Sequence, residues 1–146
     1  MKVVAVVLFV LALFAAIFPQ FYTCQAHGFA IELPMGTMPM RCFYSAHAVT
    51  ALGIMVAIAA GGLLFFKEKG TRTILSILGI VGGLFILLTV TRAPVLGIGT
   101  CVNPDMPCVI YMRPAIYTVA PLIMAASVAG LAITLRPFGG GGRRQG

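Results

Sequence analysis

Acidic residues are almost missing from this chain: its 146 residues include 3 Asp or Glu against 10 Lys or Arg. Only 9% of the residues are charged and 60% are hydrophobic. A soluble domain carries roughly 25% charged residues. There is too little polar surface here to cover a water-soluble globule, which leaves an integral membrane protein of the cell membrane. The acids that do occur, Glu32, Glu68 and Asp105, lie outside the long apolar runs. That excludes paired carboxylates for acid–base catalysis. It also removes the intramembrane carboxylate on which proton and cation transport usually depend. H-E-x-x-H, G-x-S-x-G and C-x-x-C are all absent, so the familiar metalloprotease, hydrolase and dithiol signatures are missing. No phosphate-cradling loop and no interleaving of basic with aromatic residues occurs. The net charge of +7 therefore reports topology and contact with anionic lipid, not nucleic acid.

What the chain does contain is four apolar runs: Val3 to Tyr22, Ser45 to Phe66, Thr73 to Thr91 and Pro114 to Leu135. Each is close to the ~20 residues a helix needs to cross ~30 Å of hydrocarbon. Backbone amides in lipid must be paired within their own segment, so these runs are expected to be helices. The expected fold is all-α: an integral membrane four-helix bundle over residues 1–135, in contact with the lipid bilayer, followed by a flexible, basic, Gly-rich tail over 136–146. Lys2, Lys67, Lys69, Arg72, Arg136, Arg143 and Arg144 fall on one side of such a bundle, and Arg41, Arg92 and Arg113 on the other. The positive-inside rule then places both termini in the cytoplasm and the segments Gln20 to Tyr44 and Arg92 to Arg113 outside. The first run, with Lys2 before it and Ala26 after it, also reads as a signal peptide. Its length and the interfacial aromatics Phe21 and Tyr22 favour a retained span.

Small residues recur at helical spacing in three runs: Gly53, Ala57 and Gly61; Gly79 and Gly83; Ala126 and Gly130. Such stripes let helix backbones approach closely, within one bundle or between copies in a homo-oligomer. Pro121 is expected to kink the last helix, and Pro114 suits its first turn. The halves also resemble one another. Each is a span, an outward loop with two cysteines, and a second span, as in a parallel tandem repeat of two helices.

All four cysteines, Cys24, Cys42, Cys101 and Cys108, fall in the two outward loops. An even count in an oxidising exterior points first to disulfides. Cys24–Cys42 and Cys101–Cys108 are the expected pairs, because each closes a loop within one half. A second reading is thiol–disulfide exchange. Four spans with two cysteines in each outward loop share the topology of the bacterial quinone-coupled disulfide oxidase, although its C-x-x-C pair is lacking. Arg41 beside Cys42 favours a reactive thiol, and Arg41 or His47 would face a quinone. A third reading is copper. Met35, Met38 and Met40 with His27 are soft or borderline ligands in one loop, and His47, Met106 and Met112 add to them, though Met also fills irregular apolar gaps. Arg41, His47, Arg92, Asp105 and Arg113 complete a polar set on the outer face.

Two patches carry a family resemblance. "MPMRCFYSAHAVTALG" and "CVNPDMPCVIYMRPA" resemble a family of prokaryotic four-helix membrane proteins described as a domain of unknown function. The matching positions are Met40, Cys42 and Ser45 in the first patch, with Cys101, Met106, Cys108 and Pro114 in the second. Ser45 stands where the resemblance implies Thr. It implies a bacterial or archaeal source and supplies no activity. The leading functional reading is a non-enzymatic subunit or accessory of a membrane complex, with a disulfide-stapled outer cap and no cofactor. Quinone or copper enters only under the alternatives.

Overall fold

The computed structural model describes residues 2–28, 31–34, 36–38, 40–66, 68–91, 98–99, 101 and 103–135. Four long helices dominate: α1 (Lys2–Phe21), α2 (Arg41–Phe65), α3 (Lys69–Val90) and α4 (Arg113–Leu135). A π-helical turn, Cys108–Met112, leads directly into α4, so the last continuous helical stretch is 28 residues long. All four are long and apolar enough to cross a membrane, and the chain is a small multi-pass membrane protein. The tail over 136–146 lies outside the described residues.

The helices form a ring in which α1 packs on α2, α2 on α3, α3 on α4 and α4 back on α1. The sequence shows why. Along α1 the buried positions are Ala5, Leu8, Ala12, Ala15, Ala16 and Pro19, a spacing of threes and fours that keeps one stripe facing inward. The other faces expose large apolar side chains such as Val3, Ile17, Ile58 and Ile74. In water such exposure would be costly, but against lipid tails it costs nothing. For the same reason hydrophobicity cannot pull the helices together, and close packing of small residues does so instead.

Three glycines show how close the helices come. A Cβ on Gly53 of α2 would lie 2.9 Å from the Ala16 amide nitrogen of α1. A Cβ on Gly83 of α3 would lie 2.8 Å from Met124 Cγ and 3.3 Å from the Ala120 carbonyl oxygen of α4. Gly79 is pressed against Ser127 in the same way. Gly61 is different: nothing lies within 4 Å of the position its Cβ would take. Two of these stripes thus serve packing inside the chain, while the stripe on α2 runs out at Gly61.

Three local features depart from expectation. The Met-rich segment after α1 was expected to be a loop. It carries a short antiparallel hairpin, β1 (Ile31–Leu33) with β2 (Gly36–Met38), in which Glu32 faces Thr37. α2 starts at Arg41, ahead of the apolar run at Ser45. Pro114 lies in the first turn of α4, as expected, but a π-helical turn from Cys108 to Met112 runs straight into that helix. The Arg113 amide bonds back to the Cys108 carbonyl, a five-residue step. Pro114 has no N–H to continue the usual ladder, and the ladder widens just before it.

Candidate functional site

The elements around the cysteines explain how each one is held. Cys24 follows α1 in a tight turn. The Ala26 amide donates to Thr23 Oγ1 at 3.2 Å, and the His27 amide donates to the Cys24 carbonyl at 3.2 Å. Cys42 is the second residue of α2, and Cys108 opens the π turn ahead of α4. Both thus sit at the N-terminal end of a long helical stretch. Cys101 lies in the connection between α3 and α4.

These four chain segments bring their sulfurs to one point. All four Sγ atoms lie within 4.8 Å of one another. Cys24 is central: its Sγ lies 3.3 Å from Cys108 Sγ and 3.4 Å from Cys101 Sγ, and its amide donates to Cys42 Sγ at 3.4 Å. Met106 Sδ is 4.0 Å from Cys24 Sγ. Cys24, Cys42 and Cys108 are fully buried, and Cys101 is partly exposed.

The expected disulfides are not formed, and this corrects the sequence reading. A disulfide needs its sulfurs about 2.05 Å apart. Here all four cysteines are thiols. Nor are they sorted into one pair per loop: Cys24 of the first half lies 3.3 Å from Cys108 and 3.4 Å from Cys101 of the second. The ends of both helical hairpins converge on the bundle axis, so residues far apart in sequence meet there.

Burial sets the protonation of the two thiols that lie outside the spans. It pushes Cys24 far above the usual thiol range, helped by hydrogen bonds with Cys42 and Cys108. Burial, with a contribution from Cys108, pushes Cys101 up to about 12. At neutral pH both carry their protons and share them with neighbouring sulfurs.

The other residues picked from sequence make local contacts. His47 is exposed and pairs its Nδ1 with the Phe43 carbonyl at 2.9 Å, its ring centroid 4.2 Å from that of Phe43 at a tilt of 44°. The Arg113 guanidinium lies over the Tyr117 ring at 5.6 Å. Arg41 and Asp105 are exposed, and the Asp105 amide donates to Asn103 Oδ1. Arg92 and Met35 lie outside the described residues. Met38 is 59% exposed on β2. Met40 caps α2 and packs against the core, and His27 is exposed near Tyr22. Met106, one of the methionines named in the copper reading, reaches the sulfurs. The signal that was available for the cluster is the segregation of all four cysteines into two loops on one side.

No curated protein and no solved structure matches this chain. The family model described as Domain of unknown function (DUF4418) matches residues 2–135. The chain therefore belongs to that family, whose model spans all four helices.

Proposed function

We propose that this protein holds a single thiophilic d10 cation, of the Zn(II) or Cu(I) class, in a closed four-thiolate site at one end of a membrane-embedded bundle. The observation that carries this reading is the gathering of four sulfurs from four separate segments within 4.8 Å. An ion bound tetrahedrally with metal–sulfur bonds of ~2.3 Å separates its ligands by about 3.8 Å. The sulfur spacings of 3.3 and 3.4 Å and the outer limit of 4.8 Å bracket that value. As each S–metal bond forms, the thiol releases its proton to water.

A site with four protein ligands has no open position for substrate, which is the mark of a structural or ion-holding centre. The protein is thus a non-enzymatic component of its membrane, with both termini cytoplasmic and the sulfur end outside by its charge distribution. A bound ion also explains how thiols would persist in an oxidising exterior. Thiol–disulfide catalysis is the weaker reading. Its nucleophile must ionise readily, and burial acts against that at Cys24 and Cys101.

The test is elemental analysis of the full chain, extracted in mild detergent from its native membrane, alongside thiol counting under denaturing conditions. One ion per chain, lost on Cys24→Ser or Cys108→Ser substitution, is expected. Protein without metal and with its cysteines paired as disulfides would overturn the assignment.

A further inference from the structure

The thiolate site described above draws on three fully buried cysteines and one, Cys101, at its partly exposed corner. Something must hold that fourth ligand in place. Two residues before it, Gly99 is buried and takes the left-handed conformation, with φ of +75°, which a side chain would disfavour. The Gly99 amide donates to the Thr89 carbonyl at the end of α3 at 3.1 Å. Its carbonyl accepts from the hydroxyl of Ser45 on α2 at 2.6 Å. Ser45 is itself fully buried and lies one helical turn after Cys42. One hydroxyl thus links the helix that carries Cys42 to the connection that carries Cys101. The bond spans 54 residues of sequence. It satisfies a buried carbonyl that would otherwise be costly to leave alone.

Resting on the metal-site reading, we propose that Ser45 is the positioning residue of the site: its bond to Gly99 sets Cys101 as the fourth sulfur ligand. Without the hydroxyl, the ion retains the three buried thiolates of Cys24, Cys42 and Cys108 and loses the fourth. Groups that orient metal ligands typically change affinity by about 10–100-fold when removed, and that is the effect expected here. Threonine carries the same donor, so Ser45→Thr should keep the site intact.

The experiment uses the full chain in detergent, loaded with Zn(II) for affinity by chelator competition and with Co(II) for its sulfur charge-transfer spectrum. Wild type and S45T are expected to show a four-sulfur ion. S45A is expected to bind Zn(II) about 10–100-fold more weakly, to show a three-sulfur spectrum, and to expose Cys101 to alkylation while the other cysteines stay protected. C101S should give the same three-sulfur spectrum, and adding S45A to it should change affinity no further. Loss of packing alone would not move the sulfur count or be silenced by C101S. An S45A protein with wild-type affinity and four sulfurs would overturn the proposal while leaving the metal site standing. So would a C101S protein that keeps the wild-type spectrum, a result that does not depend on how well S45A folds. A wild-type protein that takes up neither ion would overturn both.

Discussion

The two ends of this bundle are built differently. At the sulfur end, contacts join residues far apart in the chain. Cys24 reaches Cys108 across 84 residues, Ser45 reaches Gly99 across 54, and Gln20 donates to Thr50 across 30. Thr50 in turn donates to the Ala16 carbonyl near Pro19, where the α1 ladder has lost a donor. At the opposite end, several hydrogen bonds among the described residues are local. Arg72 Nε donates to the Phe66 carbonyl six residues away, Thr71 to Glu68, and Thr73 to the Lys69 carbonyl. Phe65 and Phe66 there are exposed. One end fixes the mutual placement of all four helices. The other joins its helices by packing, as where a Cβ on Gly62 of α2 would lie 3.0 Å from Leu75 Cδ1 of α3. The contrast teaches that hydrogen bonds joining distant segments gather at the sulfur end, while close packing of small residues joins the helices further along.

That contrast can be tested in descending order of effect. Replacing Cys24 with Ser removes the sulfur that touches the others. Metal affinity should fall by more than about 100-fold, beyond what loss of an orienting group causes, and the metal-dependent gain in melting temperature should vanish in a thermal scan with and without Zn(II). Next in size, Gly53→Leu forces a side chain into the Ala16 backbone. Overpacking of this kind costs about 1–3 kcal/mol, read as a lower midpoint in detergent denaturation, with both ends affected because α1 and α2 separate along their length. Thr50→Val breaks the hydrogen-bond chain that begins at Gln20. Interhelical bonds within membranes average about 0.6 kcal/mol, so a small drop in the same midpoint is expected, with metal content unchanged. Gly61→Ala and Arg72→Ala should each change stability by no more than about 0.5 kcal/mol. The first meets open space and the second loses one local bond. A large effect from either would show that the basic end carries more of the architecture than its contacts suggest.

Much of the frame was legible from residues alone. Four apolar runs announce four long helices, and the low share of charged residues points to a membrane. The glycine stripes on α3 point to close helix approach, and Gly79 and Gly83 do meet α4. The hairpin β1–β2 was missed because strands of three residues carry too little periodicity to register. The π turn was missed because Pro114 marks only the first turn of α4 and gives no sign of the widened turn before it. The pairing of cysteines was misjudged for a different reason. Loop closure weighs separation along the chain, and that measure favours Cys24 with Cys42 and Cys101 with Cys108. Ser45 drew notice only through resemblance, since a hydroxyl near a helix start has many ordinary uses.

Composition and periodicity were enough to require four apolar helices, and hence to send residues 24, 42, 101 and 108 to the same end of the molecule. They were silent on how each helix is rotated about its axis, because apolar faces are interchangeable against lipid and hydrophobicity has no direction. The rotation came from close packing, of Gly53 on Ala16 and of Gly79 and Gly83 on α4. Once those contacts turn the helices, four thiols that sequence could only pair become one cluster around a common centre.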